Sequence, residues 1–199
     1  LSPSTKVGVS YRSTIKYKTE GHTNLNGVWR NDSKASLTLP DTAILSVTQK
    51  LSDRWEMLGD ISWTGWSSIP KVDILRANGS LAQVLDTDFK DAWRVALGAN
   101  YQLNSAWKLK YGIAYDQTPV RGPTTRLVSL PDNDRVWFSF GAQWQPDKAS
   151  KLDLGISYIY IRDSKINNNQ SAAPNYRGQV TGEYSGDIWL LGAQYSMAF

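Results

Sequence analysis

Four arginines are the side chains best suited to bind a charged ligand: Arg94, Arg121, Arg126 and Arg135. A guanidinium group holds a carboxylate through paired hydrogen bonds, so these residues predict a site for an anionic head group. Acidic residues recur in the same segments. The alternative interpretation is therefore a set of ion pairs that neutralise one another.

Catalysis and metal binding have weaker support in the sequence. His22 is the only histidine, and a lone loop histidine is usually solvated rather than a general base. Asp116, Asp132 and Asp134 resemble a cation site, but Asp and Asn after Pro131 are also typical of turns. The chain has no cysteine to act as nucleophile or thiolate ligand. We predict no enzyme activity, no metal and no cofactor.

The composition combines a polar average with many large aromatic residues. Mean hydropathy is −0.42, yet the 199 residues include nine Trp and ten Tyr. No apolar run approaches the ~20 residues of a transmembrane helix. This combination is typical of a secreted β-protein or an outer-membrane barrel, because half of a barrel's side chains face a polar lumen. The net charge of +4 forms no basic and aromatic stripe, so we predict no nucleic-acid partner.

Large apolar residues alternate with small or polar ones in about eight segments. This period of two predicts strands with one apolar and one polar face. Each segment has about ten residues, enough to cross a membrane at a tilt and more than most soluble strands have. A soluble β-sandwich is the alternative, but long apolar faces with aromatic ends favour a barrel. The segments are 93–101, 107–115, 136–144, 152–160 and 189–199, with weaker ones at 7–17, 43–47 and 55–63.

Short and long connections alternate between these segments. Outer-membrane barrels show the same asymmetry, with short periplasmic turns and longer extracellular loops. We therefore predict an all-β fold, a transmembrane antiparallel β-barrel, as a single domain over residues 1–199. The short turns are at 50–54, 102–106 and 145–149, and the long connections are at roughly 19–40, 66–88, 117–134 and 166–183.

The first residues raise the question of how many strands the whole barrel has. Residues 1–6 resemble the tight turn at 51–54, and a turn implies a strand before it. This predicts that the chain is the C-terminal part of a larger barrel. The alternative is a small barrel of eight strands that closes on itself, with a lumen filled by side chains and a structural or adhesive role.

Several sequence blocks resemble the FadL-type outer-membrane transporters. The resemblance is most specific over 91–165, where the Thr-Pro-Val and Pro-Asp-x-Asp-Arg-x-Trp blocks occur in the family's order. It implies a fourteen-stranded barrel plugged by an N-terminal hatch, with the hatch and the early strands absent here. The matching blocks are 7–13, 91–98, 111–120, 130–137, 154–158 and 189–199.

The resemblance also implies a function and a set of partners. The family takes up long-chain fatty acids and other hydrophobic compounds passively across the outer membrane of Gram-negative bacteria. Expected partners are fatty acids and hydrocarbons, outer-membrane lipid and lipopolysaccharide, and the barrel-insertion machinery, which reads a terminal residue such as Phe199. Chemistry and position make Arg94 and Arg135 candidate substrate anchors. Arg121 and Arg126 are candidates for the substrate or for lipopolysaccharide phosphates.

Overall fold

The computed structural model describes residues 2–25, 28–173 and 176–198. These residues form twelve β-strands and one short 3-10 turn, Trp66–Ser68. The strands are β1 (Thr5–Arg12), β2 (Ile15–Leu25), β3 (Val28–Leu39), β4 (Thr42–Lys50), β5 (Trp55–Thr64), β6 (Lys71–Arg76), β7 (Leu81–Asp86), β8 (Ala92–Gln102), β9 (Trp107–Asp116), β10 (Arg135–Trp144), β11 (Ser150–Gln170) and β12 (Gly178–Met197). Within the described ranges, no helix is long and apolar enough to cross a membrane. The insertion role predicted for Phe199 concerns a residue outside these ranges.

Eight strands form one antiparallel sheet, in the order β1-β4-β5-β8-β9-β10-β11-β12. Each strand pairs with the next member of this sheet along the chain, and the prediction of eight long strands is confirmed. Across the described part of the chain, β1 and β12 are the two edges of the sheet and do not pair with each other.

A second, four-stranded sheet fills two of the segments predicted as loops. Its order is β2-β3-β6-β7, so the connections at 19–40 and 66–88 are mostly strand. The prediction of one continuous strand over 7–17 is wrong, because Ser13 and Thr14 separate β1 from β2 and place Ile15 in the second sheet. Ile15 and Tyr17 alternate with lysines, but from Thr19 to Asn24 β2 has no apolar side chain on either face, so its sequence does not show the long apolar face of the other strands.

The β11–β12 hairpin is much longer than the sequence predicted. The two strands stay paired from Ser150↔Met197 to Gln170↔Gly178, with one irregularity between Ile161 and Ser164. Most of the predicted loop at 166–183 is therefore a continuation of this hairpin beyond the rest of the sheet. Of the four long connections, 117–134 alone is free of strands in the described structure.

The apolar residues of the eight strands lie on one face of the sheet. In the middle of this face, Leu97 lies opposite Ile113, and Ile113 lies opposite Phe138. Leu97 is 57% exposed and Phe138 is 50% exposed. A face of this size that stays exposed in water is a strong liability, whereas in lipid it is the stable arrangement.

Aromatic residues border the apolar face at both ends. Trp55 lies against Tyr101 with ring centroids 4.6 Å apart, and Trp107 stacks on Trp144 at 6.1 Å, beside the tight turns. Eight residues along the same strands, the opposite border carries Trp63, Trp93 and Tyr115. Eight residues of a strand span about 26 Å, and tilt shortens this toward the thickness of a bilayer core. These two rows match the interfacial belts expected of a membrane barrel.

The other face of the sheet is small and polar, as predicted for a lumen. Gly98 lies opposite Gly112, and Gly155 lies opposite Gly192. Lys110 Nζ is 2.8 Å from Asp153 Oδ1 in a cross-strand ion pair. Several charges of this face therefore neutralise one another, as the alternative interpretation of the sequence proposed.

The tight turns are closed by side chains that accept backbone hydrogen bonds. Asn104 Oδ1 accepts from the backbone N–H groups of Ala106 and Trp107, both at 2.9 Å. Asp147 does the same for Ala149 and Ser150. A side-chain acceptor three residues before the strand fixes the turn and hence the register of the two strands that it joins.

Replacing Asn104 by alanine is expected to lower the free energy of unfolding by about 1 kcal/mol, because two backbone donors lose their protein acceptor. Asn104→Asp retains the acceptor and serves as the matched control. Urea unfolding of the protein in lipid vesicles, followed by tryptophan fluorescence, measures both. Equal stabilities of the two variants would show that the side chain does not hold the turn.

Candidate functional site

A row of alternating charges crosses the lumen face near the end of the sheet opposite the tight turns. Arg94 of β8 lies opposite Asp116 of β9, and Asp116 lies opposite Arg135 of β10. The strand pairing alone brings these three residues side by side, since all three face the lumen. We call Arg94, Asp116 and Arg135 the charged row.

The arginines of the charged row already have carboxylate neighbours. Arg94 Nη1 lies 3.1 Å from Asp60 Oδ1. Arg135 Nη2 lies 3.0 Å from Asp132 Oδ1, while its Nε is 3.9 Å from Asp116 Oδ2. That last distance is too long for a hydrogen bond, and Arg135 Nε is buried without a hydrogen-bond partner among the described residues. One guanidinium donor is therefore unused.

A cavity of about 370 Å³ opens beside the charged row. Arg94, Asp116, Asp132 and Arg135 form its charged wall, and Trp66, Phe89 and Leu130 are among its apolar lining. Ligand-binding sites commonly have a volume in this range and combine an apolar wall with a few polar groups. The cavity is the candidate functional site.

The apolar wall of the cavity is held by a small cluster outside the sheet. Trp66 meets Phe89 edge to face, with centroids 6.0 Å apart. Phe89 also belongs to a buried cluster with Ile69 and Val120. The backbone N–H of Ser67 donates to Asp91 Oδ1 at 3.0 Å, and hydrogen bonds from Ser67 hold the pKa of Asp91 below its ordinary value.

Two of the candidate cation ligands, Asp132 and Asp134, hold the loop at 117–134 in place. Asp132 accepts a hydrogen bond from the Thr118 hydroxyl at 2.6 Å. Asp134 accepts from the Thr118 backbone N–H at 3.0 Å and from the Tyr115 hydroxyl at 2.8 Å. Among the residues that the structure describes, no three His, Cys, Asp or Glu side chains are placed to hold a metal. Residues 131–134 form no turn themselves, so these two aspartates act by holding the loop to Thr118 and Tyr115 rather than by closing a turn.

Arg126 and Arg121 lie apart from the cavity. Arg126 is only 4% exposed, and its guanidinium donates to the backbone carbonyls of Lys165 and Asp132. Burial lowers the pKa of Arg126 from its ordinary value, and the Asp132 carboxylate opposes that shift. Arg121 Nε donates to the backbone oxygen and Oδ1 of Asp88, at 3.0 and 3.2 Å. Neither arginine lines the cavity of the charged row. His22 lies on β2, in the other sheet.

The sequence of the chain matches a known family over its whole length. The sequence profile of the outer membrane protein transport proteins (OMPP1/FadL/TodX) matches residues 1–199. The chain belongs to this family. As a member of the FadL family it is part of an outer-membrane protein, as the sequence predicted.

Curated relatives of this FadL-family chain come from several Gram-negative bacteria. It is 31% identical to the long-chain fatty acid transport protein of Escherichia coli O6:H1, over 100% of this chain and 47% of that protein. It is 30% identical to outer membrane protein P1 of Haemophilus influenzae, over 96% of this chain and 44% of that protein. The chain thus spans about half the length of the curated relatives it matches.

Solved structures show the same fold over half of their chains. A Pseudomonas aeruginosa FadL homologue superposes with a TM-score of 0.89 at 21% identity, covering 99% of this chain and 50% of that one. The Pseudomonas putida toluene transporter TodX gives a TM-score of 0.63 at 17% identity, covering 100% and 46%. The FadL fold thus accounts for an open sheet in this chain, and the self-closing eight-stranded barrel has no support from these relatives.

The sequence of this FadL-family chain predicted the charged wall of the cavity but not the aromatic part of its apolar wall. The period of two placed Arg94, Asp116 and Arg135 on one face. Trp66 and Phe89 lie in a segment predicted as loop and in the residues just after it, where no periodicity tells which side chains meet. Their only signal was size, since large aromatics in a long connection usually pack against something.

Proposed function

We propose that the whole protein passes long-chain fatty acids or other hydrophobic compounds across the outer membrane, by binding and passage without chemistry. The observation that carries this proposal is the cavity beside the charged row, which offers guanidinium groups on one wall and aromatic rings on the other. Such a site suits a molecule with a small polar head and a long apolar tail.

Arg94 and Arg135 are the proposed anchors for the polar head. The Arg135 side chain is 30% exposed, so its guanidinium can turn toward a ligand, and its buried Nε has no described hydrogen-bond partner that this movement would break. A carboxylate that accepts from a guanidinium makes a charge-assisted bond, which is about twice as strong as a neutral one. Without a ligand, ion pairs with Asp60 and Asp132 hold the two arginine side chains against the cavity wall.

Trp66, Phe89 and Leu130 are the proposed contacts for the apolar tail. Leu130 is 43% exposed, so part of its surface is available to a ligand. Burying an apolar chain against these side chains is favourable by about 25 cal/mol per Å² removed from water. A fatty acid gains from both walls, whereas an aromatic hydrocarbon gains from the apolar wall alone.

The relatives agree with either class of hydrophobic cargo. Those from Escherichia coli carry the name of long-chain fatty acid transport proteins, and the Pseudomonas putida structure is of a toluene transporter. We favour a fatty acid for this protein because toluene has no charged group that the charged row could bind. Two further partners stay proposals: the lipid of the outer membrane with its lipopolysaccharide, and the insertion machinery acting through Phe199.

Uptake by cells that lack a transporter of their own tests the proposal. Cells expressing the whole protein are given radiolabelled oleate or radiolabelled toluene, and the initial rates are compared with those of cells carrying an empty vector. We expect oleate uptake well above the empty-vector rate, and a smaller or absent effect for toluene. Rates equal to the empty vector for both compounds would overturn the transport proposal.

A further inference from the structure

A second groove lies on the outward side of the sheet, at the end where the long connections are. It encloses about 550 Å³, and its lining includes Lys90, Asp134, Tyr160, Arg162 and Lys165. Tyr160 belongs to the apolar outward face, since it lies opposite Val136 in the strand register. We call this feature the outer groove; it is separate from the cavity of the charged row.

The outer groove has more positive than negative side chains. Five cationic residues line it, against three acidic ones. They are Lys90, Arg121, Arg126, Arg162 and Lys165, against Asp134, Asp163 and Glu183. The surplus favours an anionic ligand with oxygen acceptors.

The cations of the outer groove differ in how far the protein already uses them. Arg121 is held by Asp88, and Arg126 is buried on backbone carbonyls. In the described part of the chain, the side chains of Lys90, Arg162 and Lys165 make no hydrogen bond and no ion pair. Three cations therefore border the groove with donors that no described group uses, although Lys165 lies opposite Glu183 in the strand register and two aspartates line the same groove.

The depth of the outer groove in the membrane is marked by two tyrosines. Tyr115 and Tyr160 stand at the border of the apolar face farthest from the tight turns, and the Tyr115 hydroxyl donates to Asp134 of the groove at 2.8 Å. Tyrosine at the end of an apolar face sits at the level of the lipid head groups. The groove therefore opens where the outer leaflet presents its head groups.

We propose that the outer groove binds the phosphorylated head group of lipopolysaccharide, with Lys90, Arg162 and Lys165 contacting the phosphate oxygens. Lipopolysaccharide forms the outer leaflet of the membrane in which this family resides, and its lipid A part carries phosphate groups at the depth of the tyrosine row. Arginine and lysine both bind phosphate, arginine through paired donors. The acyl chains of the same molecule would lie along the apolar face below Tyr160. This inference rests on the proposed lipopolysaccharide partner and names its site, and it does not depend on which compound is transported.

Binding of purified lipid A tests the proposal. The protein in detergent is titrated with diphosphorylated lipid A, with the same lipid after enzymatic removal of both phosphates, and with inorganic phosphate alone. The triple variant Lys90→Gln/Arg162→Gln/Lys165→Gln is expected to bind diphosphorylated lipid A at least about ten-fold more weakly, because three charge-assisted contacts are lost. The dephosphorylated lipid is expected to bind the original protein as weakly as the variant does.

A matched control removes three positive charges from the end of the sheet that carries the tight turns. Lys50→Gln/Arg54→Gln/Lys148→Gln changes three cations in or beside the tight turns, and we expect its lipid A affinity to equal that of the original protein. Heat-modifiable migration on gels checks that both triple variants are folded. Unchanged affinity in the groove variant, or equal loss in both triple variants, would overturn the proposal. So would full displacement of lipid A by millimolar inorganic phosphate, since the groove would then be a site for the free ion.

Discussion

Replacing Leu97 by arginine is expected to destabilise the membrane-inserted protein by about 2–4 kcal/mol. Leu97 lies in the middle of the outward apolar face, opposite Ile113, and is 57% exposed. A charge placed there must be buried in lipid hydrocarbon or pull water and head groups toward it, and either response is costly. Urea unfolding in phospholipid vesicles gives the difference in free energy of unfolding.

Met197→Arg is the matched control for depth on the same face. Met197 lies at the end of β12 beside the tight turns, where an arginine side chain can reach the lipid head groups. We expect its arginine variant to lose only about 0–1 kcal/mol. Equal losses at Leu97 and Met197 would contradict the placement of this face against the hydrocarbon core.

Arg135→Gln is expected to reduce oleate uptake by at least about ten-fold while leaving toluene uptake unchanged, if the charged row anchors a carboxylate. The substitution removes the unused Nε donor, leaves Asp132 without its cation and takes away one of the two arginines beside Asp116. These changes oppose a negatively charged head group, and none concerns a neutral hydrocarbon. Initial uptake rates in the same cells, with equal protein in the membrane, provide the comparison.

The double variant Arg135→Gln/Asp132→Asn separates the loss of the hydrogen-bond donor from the loss of charge balance. It restores the local charge balance but still lacks the guanidinium donor. If the donor contacts the carboxylate, oleate uptake stays low in the double variant. Recovery to the original rate would show that Arg135 acts only by neutralising Asp132, and would contradict its role as an anchor.

The eight-stranded sheet could be predicted from the sequence because each of its strands has one face against lipid, and that face requires apolar side chains. Alternation from Trp93 to Tyr101 and from Val136 to Trp144 is visible without any partner, since one face meets hydrocarbon and the other the lumen. The second sheet could not be predicted in this way. Its strands lie outside the apolar face, and their sequences alternate only over short stretches, as from Ile15 to Lys18 in β2.

The candidate site was predictable only in part, for a related reason. The alternation of side chains along each strand placed Arg94 and Arg135 on the same face. Their positions beside Asp116 depend on the register in which the strands pair, which the sequence does not give. The burial of Arg126 depends on the loop at 117–134 folding against β11, which no local pattern encodes. Sequence periodicity therefore does not predict the long-range contacts of loops.

Pairing between successive strands has a consequence for how such a protein can change in evolution. Each neighbour in the eight-stranded sheet is the next sheet member along the chain, and the turns at Asn104 and Asp147 set the register locally. A hairpin can therefore be gained or lost as a unit without turning any remaining side chain from lipid to lumen. The width of the sheet is thus adjustable two strands at a time, whereas the assignment of each side chain to the apolar or the polar face stays unchanged.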